Sequence, residues 1–417
     1  MIRVMDERDS VAWLHRRAGF GLPPAEMRAA IENGFAAELE RMLDPSAIAD
    51  AVSADPWDNE QLPYDPEDRP SKRYAIAGWI GAMVATEQPL VDRMAWLWHG
   101  HFVSALDKVR VARLMVDQVR LFQTAGLGDF RALLRAVTID PAMLVYLDLR
   151  TSTSVTPNEN YAREMLELFT LGVGSYTEAD VLAGSQALSG WTLEREGGVE
   201  FRPRRHDDTL RTYLGVAGVH DLDTVLDAVM VQRSLPLFIA AVISQGFLGV
   251  VDPELEAEVA ADFTAGGFDV AELVRAVLTA GGARSSSPLV LGPLPWLVIA
   301  ARVTRARPDI FDVVPLLRSA GQLPMLPPNV AGWPGGAAWF NASSLVARTN
   351  LAAVVAAAAT DEEVLAAAEG DDFELLAELL GLSSTGFEED SRAALAATPA
   401  GRDRLAVALI TPEFMIA

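Results

Sequence analysis

The chain has 417 residues, half of them hydrophobic, with a formal net charge of −23 and no cysteine. That much apolar material can fill a large core, and the carboxylate excess repels nucleic acid and anionic lipid. Without cysteine there are no disulfides, thiolate zinc centres, iron–sulfur clusters, cysteine nucleophile or thioether-attached haem, so any metal must be held by the five histidines and the carboxylates.

The N-terminus, MIRVMDERDSVAWLHRRAGFG, carries charges at positions 6–8 and lacks the apolar stretch of a secretory leader. As written, the chain is expected to be cytoplasmic. Residues 24–43 have apolar residues at helical spacing with a break at Gly34. The Pro-, Asp- and Ser-rich stretch 44–71 reads as a long loop. Helical patterns resume over 72–103, 107–126 and 128–138. PNENYAREMLELFTLGVGSY (157–176) is a further helix, after which Thr177 and Asp180 stand at capping-box spacing. Two short alternating runs around Gly197 and Gly198 predict a β-hairpin over 191–203.

Helical spacing returns at 221–247, 253–263, 268–280, 288–305 and 310–319, and from 345 onward almost throughout. The longest apolar run, 235–251, is too short and interrupted for a membrane span and predicts a buried helix. Prolines and glycines exclude regular structure from 323–344. GGARSSSPLVLGP (281–293) is the best place for a seam dividing an otherwise single domain over 1–417 into two intimate halves. No repeat recurs at solenoid period. The expected fold is mainly α: one large helical domain with a small hairpin insertion and long irregular loops.

Four constellations carry chemistry. In the first, Asn158 is a good N-cap and Glu159 sits at the positive end of the helix dipole. Asn160, Arg163, Glu164 and Glu167 then form one polar stripe beside a broad apolar face. The stripe is either a solvated edge with an Arg163–Glu167 pair or an inward-facing carboxylate pair. The direction Arg163 takes separates the two.

The second is WHGHF. His99 and His101 point about 200° apart on a continuous helix, so they can share a metal only if the chain leaves the helix near Gly100. The third, RRHDDT, offers His206 and Asp207 as metal ligands, as a base with its orienting carboxylate, or as an Asx-type turn. The fourth groups Trp333, Trp339 and Phe340 near Asn329 and Asn341, either as a recognition surface for a sugar or as a loop stapled to the core. His15 and His220 sit among ordinary helical residues and read as packed histidines. Phosphate-cradling loops, dinucleotide fingerprints and nucleophile elbows are absent from the sequence.

LHRRAGFGLPPAEM, WHGHFVSALDK, the glutamate helix with ALSGW and HDD beyond it, and GQLPMLPPNVAGWPGGAAWFNASSL occur in this order. Together they resemble the bacterial domain-of-unknown-function 1800 family over nearly the whole chain. No reaction is established for that family. Its members are often exported and often encoded beside a sulfatase-like partner, which the resemblance implies here. Two departures are Gly100, where asparagine is usual, and the lack of a leader. The resemblance groups His99, His101, Asn158, Glu159, Arg163, Glu164, Glu167, His206, Asp207, Asn329 and Trp333.

The leading expectation is a metal-dependent hydrolase or oxidoreductase. His101, His206, Glu164 and Glu167, with His99 if the helix breaks, would hold iron, manganese or zinc with a position open for water or substrate. The alternatives are a metal-free carbohydrate-active protein and a non-enzymatic scaffold or envelope-associated module. The first would use Glu164 or Glu167 as acid, Asp148 as partner and the tryptophans as platform.

Overall fold

The computed structural model describes residues 5–46, 62–249, 252–283 and 288–417, so most of the predicted loop 44–71 and part of the 281–293 seam lie outside it. Helices dominate, and the fold is mainly α. Pro24–Asn33 and Phe35–Met42 are separated where the periodicity breaks, at Gly34, whose φ is 84°.

Three predicted helices are each split. Residues 107–126 form Leu106–Val109 and Ala112–Ala125, parted at Arg110, whose φ is 66°. Residues 72–103 form Arg69–Ala85 and Pro89–His101, because Pro89 lacks an N–H and forces Gln88 out of helical conformation. Residues 221–247 form Leu222–Met230 and Ser234–Leu248, bent by 81°. Among the described residues no single helix is long and apolar enough to cross a membrane.

The hairpin predicted at 191–203 is β1 (Trp191–Leu193) against β2 (Val199–Phe201). A second hairpin lies beyond it: β3 (Arg211–Tyr213) pairs with β4 (Val216–Val219). Its turn residues, Leu214 and Gly215, have φ of 50° and 79°. Both positive values suit a two-residue hairpin turn, but leucine stands where asparagine or aspartate would usually mark one. The sequence therefore does not announce it.

One apolar core runs from Trp13 to Met415, with Leu90, Met94 and Trp98 of the helix Pro89–His101 fully enclosed in it. Contacts cross the seam: the helix Arg69–Ala85 packs on Pro293–Val303 and on Ile310–Ser319. Three buried guanidiniums fasten the start of the chain to its end and to the middle. Arg16 donates to the carbonyls of Phe414 (2.8 Å) and Ile416 (3.2 Å). Arg17 donates to those of Phe247 and Leu248, both at 3.0 Å, and Arg93 to Gly246 at 3.0 Å. Residues 246–248 close the helix Ser234–Leu248, whose last carbonyls have no partner within the helix and attract cations.

Candidate functional site

The glutamate helix starts as the sequence implies. The Asn158 side chain accepts from the Asn160 N–H at 3.0 Å, and Glu159–Glu164 is α-helical. From Met165 to Thr170 the turns widen into a π-helix. The change falls between Glu164 and Glu167, and such insertions concentrate at functional positions.

Arg163 turns away from Glu167. Its guanidinium forks onto Glu178 at 2.7 and 2.8 Å and reaches Glu159 at 3.3 Å. Glu167 instead accepts from the Tyr176 hydroxyl at 2.7 Å. Glu164 is half-buried and makes no hydrogen bond or ion pair among the described residues. Burial first, and the Glu167 charge second, push its carboxyl above the usual carboxylate range, with Arg163 partly opposing. Burial first, then the charges of Asp107 and Glu164, raise the pKa of the Tyr146 hydroxyl. The neighbouring ammonium of Lys108 is committed to Asp148 at 2.7 Å. Glu167→Gln is therefore expected to lower the Glu164 pKa in a carboxyl-carbon NMR titration. An unmoved pKa would leave burial as its only perturbation.

The grouped histidines do not converge on these carboxylates. The helix Pro89–His101 runs unbroken through Gly100, so the break that would let His99 and His101 share a metal does not form. His101 donates from Nε2 to the Phe169 carbonyl at 2.9 Å, capping the end of the π-helix. Burial lowers its pKa to about 4. His99 is fully buried among Trp79, Trp96 and Trp333, and burial lowers its pKa to about 3. Its unprotonated Nε2 accepts the Met325 N–H at 3.1 Å and so anchors the loop 323–344.

His206 donates from Nδ1 to the Ser189 carbonyl at 2.9 Å, just beyond the helix Glu178–Ala187. Asp207 does not orient it. That carboxylate accepts the Thr209 N–H at 3.1 Å, an Asx-type turn, and pairs with Arg211 at 2.9 Å. Each grouped histidine thus clasps a backbone group of another segment. Among the described residues, no group of three or more His, Asp or Glu side chains stands together as a metal-holding set.

The two tryptophans of the loop turn inward, while Phe340 stays exposed. Trp333 stacks on Trp96 with ring centres 4.7 Å apart, and Trp339 is buried. Asn329, which is exposed, accepts the Ala331 N–H at 2.8 Å and shapes the turn.

Sequence reasoning missed a second polar assembly. His15, fully buried, donates to Glu38 at 3.0 Å. Glu38 also accepts from Arg41 (3.1 and 2.8 Å) and Asn33 (2.8 Å). Burial would raise the Glu38 carboxyl, but the bonds from His15, Arg41 and Asn33 outweigh it and bring it down to about 2. Burial lowers the His15 pKa against the pull of Glu38. The available signal was Glu38 itself, a carboxylate on the stripe that also holds Leu39 and Met42. Glu38 and Arg41 line a cavity of about 860 Å³, which shares no residue with the glutamate helix.

The model of a protein family of unknown function, DUF1800, matches residues 13–416. The chain belongs to the DUF1800 family. The match takes in the glutamate helix, the histidine clasps, the tryptophan loop and the cavity, so all are part of this DUF1800 domain. Among curated proteins and among solved structures, none matches the chain.

Proposed function

We propose that this DUF1800 protein is a hydrolase whose working centre is the Glu164–Glu167 pair, with a hard divalent cation held between the two carboxylates. One observation carries the reading. Glu164 is half-buried beside a second carboxylate with no hydrogen bond or ion pair, while the adjacent arginine is spent on Glu178 and Glu159. A carboxylate pressed by a neighbouring like charge gains from a cation shared with that neighbour.

The donor set also fits a cation of this kind. His101 and His206 do not group with both carboxylates among the described residues, so the ligands on offer here are oxygens, which suit magnesium or manganese better than zinc. Such ions are commonly held by one or two carboxylates, with water and substrate completing the shell. When bound, the cation would polarise a substrate oxygen or activate water. The chain's own contribution is positional. Tyr176 fixes one oxygen of Glu167, and the Arg163–Glu178 fork holds the neighbouring guanidinium off the pair.

Two other readings draw less support. A sugar site needs Asp148 free and an indole face exposed, but Asp148 is bonded to Lys108, and Trp333 and Trp339 pack inward. A purely structural helix needs its glutamates paired, and Glu164 is not.

The test is calorimetric titration of chelator-free protein with Mn²⁺ and Mg²⁺. Wild type should bind, and Glu164→Gln and Glu167→Gln should each weaken binding at least tenfold while keeping the helical circular dichroism. A wild type that takes up neither ion at millimolar concentration overturns the reading.

A further inference from the structure

The cavity beside His15 and Glu38 is formed by the helices Pro24–Asn33 and Phe35–Met42, the turn between Arg69–Ala85 and Pro89–His101, and the segment following Pro293–Val303. Its volume of about 860 Å³ lies in the range of small-molecule sites. Its apolar surface includes Leu22, Pro23, Val84, Ala301 and Ile310.

Four arginines, Arg41, Arg302, Arg305 and Arg307, line this one cavity in a molecule of net charge −23. Their commitments differ. Arg305 is bonded to Glu26 at 2.9 Å and pairs with Asp361 at 3.4 Å. Arg41 is held on Glu38, which His15 and Asn33 also bind.

Arg302 is largely buried and spends Nε and Nη1 on backbone carbonyls: Gly21 at 3.4 Å, Val84 at 3.1 Å and Thr86 at 2.8 Å. These bonds fix the plane of the guanidinium, and among the described residues no hydrogen bond engages Nη2. Arg307 is exposed and makes no ion pair or hydrogen bond among the described residues. Of the carboxylates that line the cavity, Glu26 and Glu38 are taken by Arg305 and Arg41, which leaves exposed Glu87. A fixed, partly desolvated guanidinium with an open donor, and a second one free of partners, are what a carboxylate or phosphate head requires.

We propose that this cavity binds a small amphipathic organic anion, its carboxylate or phosphate on Arg302 and Arg307 and its apolar body against the wall of Leu22, Val84 and Ile310. The buried His15–Glu38 pair holds Arg41 and the helix Phe35–Met42 in place from behind. This site is independent of the Glu164–Glu167 pair, with which it shares no residue.

The test is calorimetric titration of the full chain with octanoate, octyl phosphate, inorganic phosphate and octanol. Octanoate or octyl phosphate should bind at least tenfold more tightly than octanol and than inorganic phosphate, and which of the two binds better identifies the head group. Arg307→Ala, a surface change that leaves the fold intact, should weaken the better anion at least fivefold. Arg302→Gln should weaken it further, and Glu164→Gln should leave it unchanged. Octanol binding as well as the anions, inorganic phosphate binding as well as the octyl compounds, no binding by any probe, or wild-type affinity in Arg307→Ala would each overturn the proposal.

Discussion

Gly332→Ala is expected to destabilise the protein by about 3 kcal/mol, seen as a fall of several degrees in the melting midpoint. Gly332 has φ of 79°, and a Cβ there would lie 2.3 Å from the Gly100 carbonyl oxygen. The left-handed conformation costs alanine roughly 1–2 kcal/mol, and the contact is with backbone that cannot rotate away. The loop that would lift also carries the Trp333 stack on Trp96 and the Met325 N–H that His99 accepts. Hydrogen exchange at the Met325 amide should therefore accelerate in the variant. Gly335→Ala is the control: its φ is −118° and no atom lies within 4 Å of the added Cβ, so its melting should be that of wild type. If Gly332→Ala melts with its control, the loop is not docked on Gly100.

Glu38→Ala is expected to cost about 3–5 kcal/mol, the range for removing one partner of a buried pair. It leaves the fully buried His15 Nε2–H without an acceptor, when Nδ1 already has no partner. Glu38→Gln keeps an acceptor and should cost less. The pH dependence has a definite sign. The folded Glu38 pKa, about 2, lies below the ordinary 4.5, so its contribution is full above pH 4.5 and is lost as pH falls toward 2. The gap between wild type and Glu38→Ala in denaturant unfolding should narrow across that window. His15 acts in the same direction. Its folded pKa is lowered from 6.5, so the unfolded chain takes up the proton first and acid favours unfolding. A gap that stays constant between pH 6 and 3 would show that the carboxylate is not the source of the stabilisation.

Much of the fold was legible because it is local. Helical spacing, the Gly34 break, the Asn158 cap and the Thr177–Asp180 capping box all depend on residues within a few positions; the break and both caps stand where the pattern places them, and the helices form there with three of them split. The second hairpin was illegible because Leu214 adopts a conformation that its residue type does not advertise. The split at Pro89 could have been read from the proline alone.

The site is a different matter. The sequence located the polar stripe but left open what Arg163 would do, since Glu159, Glu167 and Glu178 were all available to it. Only packing of the following helix brought Glu178 within 2.7 Å, and that choice keeps Arg163 off Glu167. The histidines were grouped by sequence motif, yet Phe169, Met325 and Ser189, the residues whose backbone they bind, lie 68, 226 and 17 positions away. The cavity has walls from residues 22–41, 81–89, 301–310 and 360, and no pattern within any one of them implies it.

The sequence by itself determined the helical class, the cysteine-free and strongly acidic chemistry, and the membership implied by its ordered motifs, because each rests on composition or short-range spacing. Tertiary structure alone decided which charges pair, which histidines clasp backbone and where a cavity opens. Those outcomes depend on desolvation and on contacts between residues far apart in the chain.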